Sequence, residues 1–195
     1  INNKGEITLI KTNFNNNISK SAGGAINNYN HADLEECSFK SNISLNGGAI
    51  NNTSSGLMNI IKCNFEKNIA FKQGSIIFND KYLNLKNSDF SDNFSNEKCH
   101  AVYHKGDEDS ELLIENCKFS HNLTNNNLIY LEEGFYRIYS SKFDINDDSY
   151  CIYNQNANLR FEKSKFINLN KKAIFNNGIL NIRKEEKIEN QIELG

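Results

Sequence analysis

Residues 39–50 read Phe39-Lys40-Ser41-Asn42-Ile43-Ser44-Leu45-Asn46-Gly47-Gly48-Ala49-Ile50: an asparagine three places after a phenylalanine, then a Gly-Gly-Ala-Ile run. The phenylalanine returns at Phe14, Phe65, Phe90, Phe119, Phe143 and Phe166, about every 25 residues, and the asparagine at Asn17, Asn68, Asn93, Asn122 and Asn146. Leu169 breaks the asparagine column in the last unit. A period of this size marks supersecondary units that cannot bury an apolar face alone and therefore stack.

Working outward from that stretch, every phenylalanine is preceded at a fixed distance of five residues by Leu9, Leu34, Ile60, Leu85, Ile114, Ile138 or Phe161. Two residues earlier stand Ile7, Ala32, Met58, Leu83, Leu112, Tyr136 and Leu159, the two-residue alternation of a strand with one buried face. A small residue lies two places before each phenylalanine: Thr12, Cys37, Cys63, Ser88, Cys117, Ser141 and Ser164. The odd step between these columns leaves two neighbouring outward residues, such as Glu35-Glu36, Lys86-Asn87 and Glu162-Lys163, and so predicts a corner. A third strand is marked by Gly23-Gly24-Ala25-Ile26 and Gly47-Gly48-Ala49-Ile50. It fades to Gly74-Ser75-Ile76, Ala101-Val102, Leu128-Ile129, Cys151-Ile152 and Ala173-Ile174.

Short strands joined by corners, with no helical spacing, predict an all-β chain. The expected fold is a right-handed, single-stranded parallel β-helix of pectin-lyase-like type, with three short strands per coil and seven coils spanning about 34 Å. The register predicts one repeat domain over 1–182. The charged segment 183–195, with Lys184, Glu185, Glu186 and Lys187, is expected to cap the stack or lead into a further domain. The chain contains no proline, as suits strands paired on both sides.

These motifs resemble the repeats of chlamydial polymorphic outer-membrane proteins and of adhesin-like β-helix proteins of methanogenic archaea. The resemblance is carried by Phe14-Asn15-Asn16-Asn17 with Gly23-Gly24-Ala25-Ile26, and by Phe39 to Ile50, where both motifs are intact. It implies a cell-surface or secreted protein that mediates attachment, with no catalytic residues and no cofactor. The chain starts at Ile1 without a signal-like segment, and no stretch approaches membrane-spanning length, so it reads as a segment of a larger exported protein without direct membrane insertion.

A net charge of −2 and the lack of a basic motif argue against nucleic acid as a partner. Glycan or protein partners are the expectation, and the candidate contact row is aromatic. The outward position after the third-strand aliphatic residue runs Asn27, Asn51, Ile77, Tyr103, Tyr130, Tyr153 and Phe175. Such rings suit contact with sugars or protein, and they also favour strands intrinsically. Lys118, Lys142 and Lys165 form a second outward row, of a kind that suits an anionic glycan but is expected here to be solvated and relieved by Glu115, Asp144 and Glu162. Buried, unpaired thiols are expected for the five cysteines, and Cys99-His100 with His104 is read as an incidental cluster.

The rival reading is a polysaccharide lyase or glycoside hydrolase, which needs clustered acids on an outer face. Its candidates are Asp89 with Asp92, Asp144 with Asp147 and Asp148, the outward Arg137 and Arg160, and the insertion Lys105 to Ser110. A third reading is a spacer that binds nothing. Asn17, Asn42, Asn93 and Asn122 sit in sequons but are expected to point inward, leaving Asn51 and Asn52 as the more plausible glycan acceptors.

Overall fold

The computed structural model describes residues 1–95, 100–124, 126–144, 150–168, 173–183 and 192–195. These residues contain strands and no helix, and every strand pair is parallel, each strand meeting its counterpart one coil away. The chain is a parallel β-solenoid. One sheet holds the five-residue strands Glu6–Ile10, His31–Glu35, Leu57–Ile61, Tyr82–Lys86, Glu111–Glu115, Phe135–Tyr139 and Asn158–Glu162, closed by Ile179–Ile182. A second is built on the phenylalanines, from Asn13–Asn15 to Lys165–Ile167. A third carries an aliphatic-x-Asn signature, from Ile26–Asn28 through Ile174–Asn176, with Asn2–Asn3 and Ile192–Leu194 at its two edges. Beyond the three expected strands, Ile43–Asn46, Ile69–Gln73 and Phe94–Ser95 form a short fourth sheet in the first half of the stack.

The corners explain the columns. Lys11, Glu36, Lys62, Asn87, Asn116, Ser140 and Lys163, each directly after a five-residue strand, have φ between 49° and 53°. Asn16, Ser41, Lys67, Asp92, His121 and Asn168, two residues after each phenylalanine, have φ of 52–57°. One left-handed residue turns the chain sharply, and its cost is offset where the turn is repeated and bonded to the next coil, as from Glu36 N–H to the Ile61 carbonyl at 3.0 Å. At the third corner the turn is tighter. Gly47 has φ +61°, and a Cβ there would lie 2.0 Å from the Ile50 carbonyl oxygen. A Cβ on Gly48 would lie 2.1 Å from the Ser75 oxygen of the next coil, so the pair of glycines serves one turn and one close approach.

The core is a set of stacked columns. Phe14, Phe39, Phe65, Phe90, Phe119 and Phe143 stack with ring centroids 4.5–5.2 Å apart. The column bends at its end, where Phe166 tilts by 33° against Phe143 and stacks instead on Phe161 at 5.1 Å. Beside it runs the asparagine ladder. Nδ2 of Asn17, Asn42, Asn68 and Asn93 donates to Oδ1 of the next member, ending at Asn122, over 2.8–2.9 Å. Each Oδ1 also accepts the backbone N–H of the preceding member, and Nδ2 of Asn42, Asn68, Asn93 and Asn122 reaches a phenylalanine carbonyl of the coil before. The expected column is thus borne out over these members, while Asn146 and Leu169 lie outside the described residues.

The small-residue column is a third ladder. Cys37 N–H meets Sγ of Cys63, Cys63 N–H meets Oγ of Ser88, and Cys117 N–H meets Oγ of Ser141. Each Sγ or Oγ in turn donates to the carbonyl two residues earlier, as Ser88 does to Lys86 at 2.8 Å, so a small hydrogen-bonding side chain fills the inside of the corner. Cys37, Cys63 and Cys117 are buried and free of disulfides, as expected, and Cys151 is buried; Cys99 lies outside the described residues.

A second asparagine ladder escaped the sequence reading. Asn3, Asn28, Asn52 and Asn79, the last residues of their strands, are linked from Nδ2 to Oδ1 at 2.6–2.8 Å, and Asn154 to Asn176 at 2.6 Å. The signal was present as an asparagine two places after Ile26, Ile50, Ile77, Ile152 and Ile174. The ladder breaks at His104 and Leu131, both fully buried. Nδ2 of Asn79 donates to Nδ1 of His104 at 2.7 Å, which places the imidazole proton on Nε2, and Nε2 has no partner among the described residues. Tyr136, whose hydroxyl is also unpaired there, packs edge-on to His104 at 4.8 Å.

Candidate functional site

The aliphatic-x-Asn sheet turns only its middle residues outward, because both flanking residues of each strand are buried. That row is aromatic over five coils. Phe78, Tyr103, Tyr130, Tyr153 and Phe175 stack at successive distances of 5.4, 5.0, 5.5 and 4.5 Å. The expected outward residue Ile77 is corrected. It pairs in register with Ile50 and Val102 and is buried, whereas Phe78 pairs with Asn51 and Tyr103. Ile76 takes the place of Ala49, so the aliphatic position falls one residue later than the fading glycine motif suggested.

The rings are half-buried rather than open. His100 leans on Tyr130 at 4.7 Å, and Tyr150 lies 5.5 Å from Phe175 and 6.2 Å from Tyr153. The Tyr103 hydroxyl hydrogen-bonds Glu132 at 3.3 Å, and burial first, then the Glu132 charge, pushes its pKa above the usual phenol range. Edges of the rings thus remain available along a row about 20 Å long, four coil steps of ~4.8 Å.

A more exposed apolar row lies on the short fourth sheet and was missed from sequence. Ile18, Ile43, Ile69, Phe94 and Leu123 pair in register, and Ile18, Phe94 and Leu123 are exposed. The residue after Asn17, Asn42, Asn68, Asn93 and Asn122 is apolar, which was the available signal. The sequon expectation is also corrected: Asn51 and Asn52 are buried, Asn51 bonding Asn27 and Asn52 lying in the second ladder. Asn42 and Asn93 are buried as expected, and Asn17, at the open end of its ladder, is exposed.

The acids named for the enzymatic reading do not gather into one cluster among the described residues. Asp89 faces outward in the phenylalanine sheet, and Asp92 turns a corner beside His121 at 4.0 Å. Asp144 accepts from Asn168 at 2.7 Å, while Asp147 and Asp148 lie outside the described residues. In the insertion, Asp107 is tied to Ser110 and to Lys81, hydrogen bonds that bring its pKa down to about 2. No group of three or more His, Cys, Asp or Glu is placed to hold a metal among the described residues.

Arg137 and Arg160 do meet. They are register partners on the outer face of the five-residue-strand sheet, lining a groove of ≈ 660 Å³ with Glu111, Leu113, Phe135, Glu162 and Arg183. Glu162 Oε1 receives Arg160 Nε and lies 3.4 Å from Arg183 Nε, and its Oε2 lies 4.0 Å from Arg137 Nη2. Burial alone would raise the Glu162 carboxyl, but the Arg160 hydrogen bond and the charges of Arg160, Arg183 and Arg137 outweigh it and hold the pKa below the usual range. The lysine row is in register as expected, Lys118 with Lys142 and Lys142 with Lys165. The acids expected to relieve it are engaged elsewhere: Glu115 with Lys86, Asp144 with Asn168, and Glu162 with the arginines.

The fold and these rows define a class, the parallel β-helix repeat protein. No protein-family model, curated protein or solved structure matches the chain.

Proposed function

We propose that this chain is a non-catalytic segment of a cell-surface or secreted, adhesin-like β-helix protein of the polymorphic-outer-membrane-protein repeat type. It extends as a stack and presents a side face to a glycan or protein partner. The observation that supports this reading is the unbroken row of five stacked rings from Phe78 to Phe175 along one outer sheet. Aromatic edges supply apolar contact area at little cost in side-chain entropy. Their spacing repeats with the coil, so a partner with its own repeat meets equivalent contacts in successive coils. Replacing Tyr103, Tyr130 and Tyr153 together by serine is expected to abolish adhesion of particles coated with the chain while leaving its circular dichroism intact. Undiminished adhesion by that folded variant discards the contact row. Shortened or unsaturated products from a glycan that the chain binds would instead identify an enzyme.

A further inference from the structure

Three guanidiniums converge on one carboxylate at the end of the five-residue-strand sheet. Arg137 and Arg160 stand side by side on adjacent strands, about 4.8 Å apart along the stack, and Arg183 follows the next strand, Ile179–Ile182. Like charges that close repel unless something holds them. Glu162 supplies one negative charge, with its side chain only 1% exposed beneath the arginines. The three arginine side chains remain 52%, 47% and 59% exposed. Each guanidinium has five N–H donors, and a carboxylate accepts about four hydrogen bonds, so Glu162 engages only a minority of the donors of these three groove-lining arginines.

The groove has the other half of a sugar site. Phe135, in the strand that carries Arg137, is 58% exposed, and Leu113 lines the wall beside it. The Tyr139 ring lies under Arg137 at 5.5 Å and under Lys163 at 5.3 Å, extending positive charge to the corner. We propose that this groove binds an acidic saccharide, its carboxylate or sulfate groups held by the forks of Arg137, Arg160 and Arg183 and a ring face laid on Phe135. Arginine forks match such anions bidentately, and a groove of this size falls within the range of ligand sites. A nucleic acid is disfavoured, because the chain is net −2 and Glu111 lines the same groove, interrupting its positive charge.

The inference rests on the reading of the chain as an attachment module, yet it uses a different sheet from the tyrosine row. Calorimetric titration of the folded 195-residue chain would use an oligogalacturonate, a sulfated dextran oligomer, unmodified dextran and an oligoglutamate peptide. At least one acidic saccharide is expected to bind, with affinity falling as salt rises, and unmodified dextran is not. Comparison of the uronate and sulfated probes identifies the anion. Arg160→Gln is expected to weaken binding at least tenfold. Arg137→Gln, which leaves Glu162 two arginine partners and should not disturb folding, is expected to weaken it severalfold. Binding that survives both substitutions, equal binding of dextran or oligoglutamate, or no acidic saccharide bound by the folded chain would each overturn the proposal. The serine triple variant of the tyrosine row is expected to leave this titration unchanged, so the failure of either site is read separately.

Discussion

Asn68 donates from Nδ2 to the carbonyl of Phe39, 2.9 Å away and 29 residues earlier in the chain. The bond closes a circuit, because Asn68 Oδ1 also takes the backbone N–H of Asn42 at 3.0 Å. All of these groups are buried, so the amide supplies the hydrogen bonds that water would otherwise provide.

Asn68→Ala is therefore expected to cost about 2–4 kcal/mol, since it strands the buried Asn42 N–H and takes a donor from the Phe39 carbonyl. Asn68→Asp keeps the acceptor but loses the donor and buries a charge. It is expected to be at least as destabilising near neutral pH and to recover partly as acid protonates it. Urea denaturation of both variants checks this, and a loss under 1 kcal/mol in each would mean that the ladder is decorative.

Phe65 lies fully buried between Phe39 and Phe90, with centroids at 4.7 and 4.9 Å. Phe65→Ala is expected to cost about 3–5 kcal/mol, and Phe65→Leu distinctly less, because leucine refills much of the volume. Phe166→Ala is expected to cost less than Phe65→Ala, as that ring is only partly buried at the end of the column. Thermal unfolding of the three variants gives the order directly.

Gly47 and Ser41 share a left-handed backbone, with φ of 61° and 55°. Gly47→Ala is expected to destabilise by more than ~1 kcal/mol, because the new Cβ would meet the Ile50 carbonyl. Ser41→Gly is expected to change stability by less than ~1 kcal/mol, relief of the left-handed strain being offset by extra freedom in the unfolded chain. Similar losses at both positions would refute the distinction between corners.

Burial holds the His100 and His104 imidazoles neutral, with pKa lowered from 6.5 to about 4 and about 3. A lowered histidine pKa means that the unfolded chain binds the proton first as the pH falls. The stability they contribute is complete above pH 6.5 and declines below it until their folded-state values are reached. The slope is at most ~1.4 kcal/mol per pH unit for each histidine. Denaturant midpoints should thus drop between about pH 7.5 and about pH 5, above the range in which ordinary carboxylates titrate. His104→Asn, which restores the ladder residue, is expected to remove part of that drop; an unaltered pH profile would dissociate it from His104.

Burial first and foremost pushes the Cys63 and Cys117 thiols up to about 12. Thiolate is the reactive form, so neither is expected to take up iodoacetamide in the folded chain, and both should be labelled in denaturant. Peptide mass mapping distinguishes them from the other cysteines, and rapid native labelling of either would contradict their place inside the corner.

The repeat by itself determined three strands in each coil, most of their inward faces, the corners and the first asparagine column. Each depends on residues a few positions apart, Phe65 and Asn68 or Ile60 and Cys63, and a parallel stack puts equivalent positions of every unit into the same column. Only the tertiary structure decided what the outer faces became. Whether Phe78 or Ile77 joins the aromatic row depended on the register of one coil against the next. Whether the row is open depended on His100 and Tyr150 folding onto it. Arg137, Glu162 and Arg183 carry no joint mark in the chain, since they belong to three different coils and only stacking brings their charges within reach of one another. Period-two burial is a local property readable from spacing, whereas charge, exposure and shape on the outer sheets arise between coils, where no fixed offset constrains the side chains.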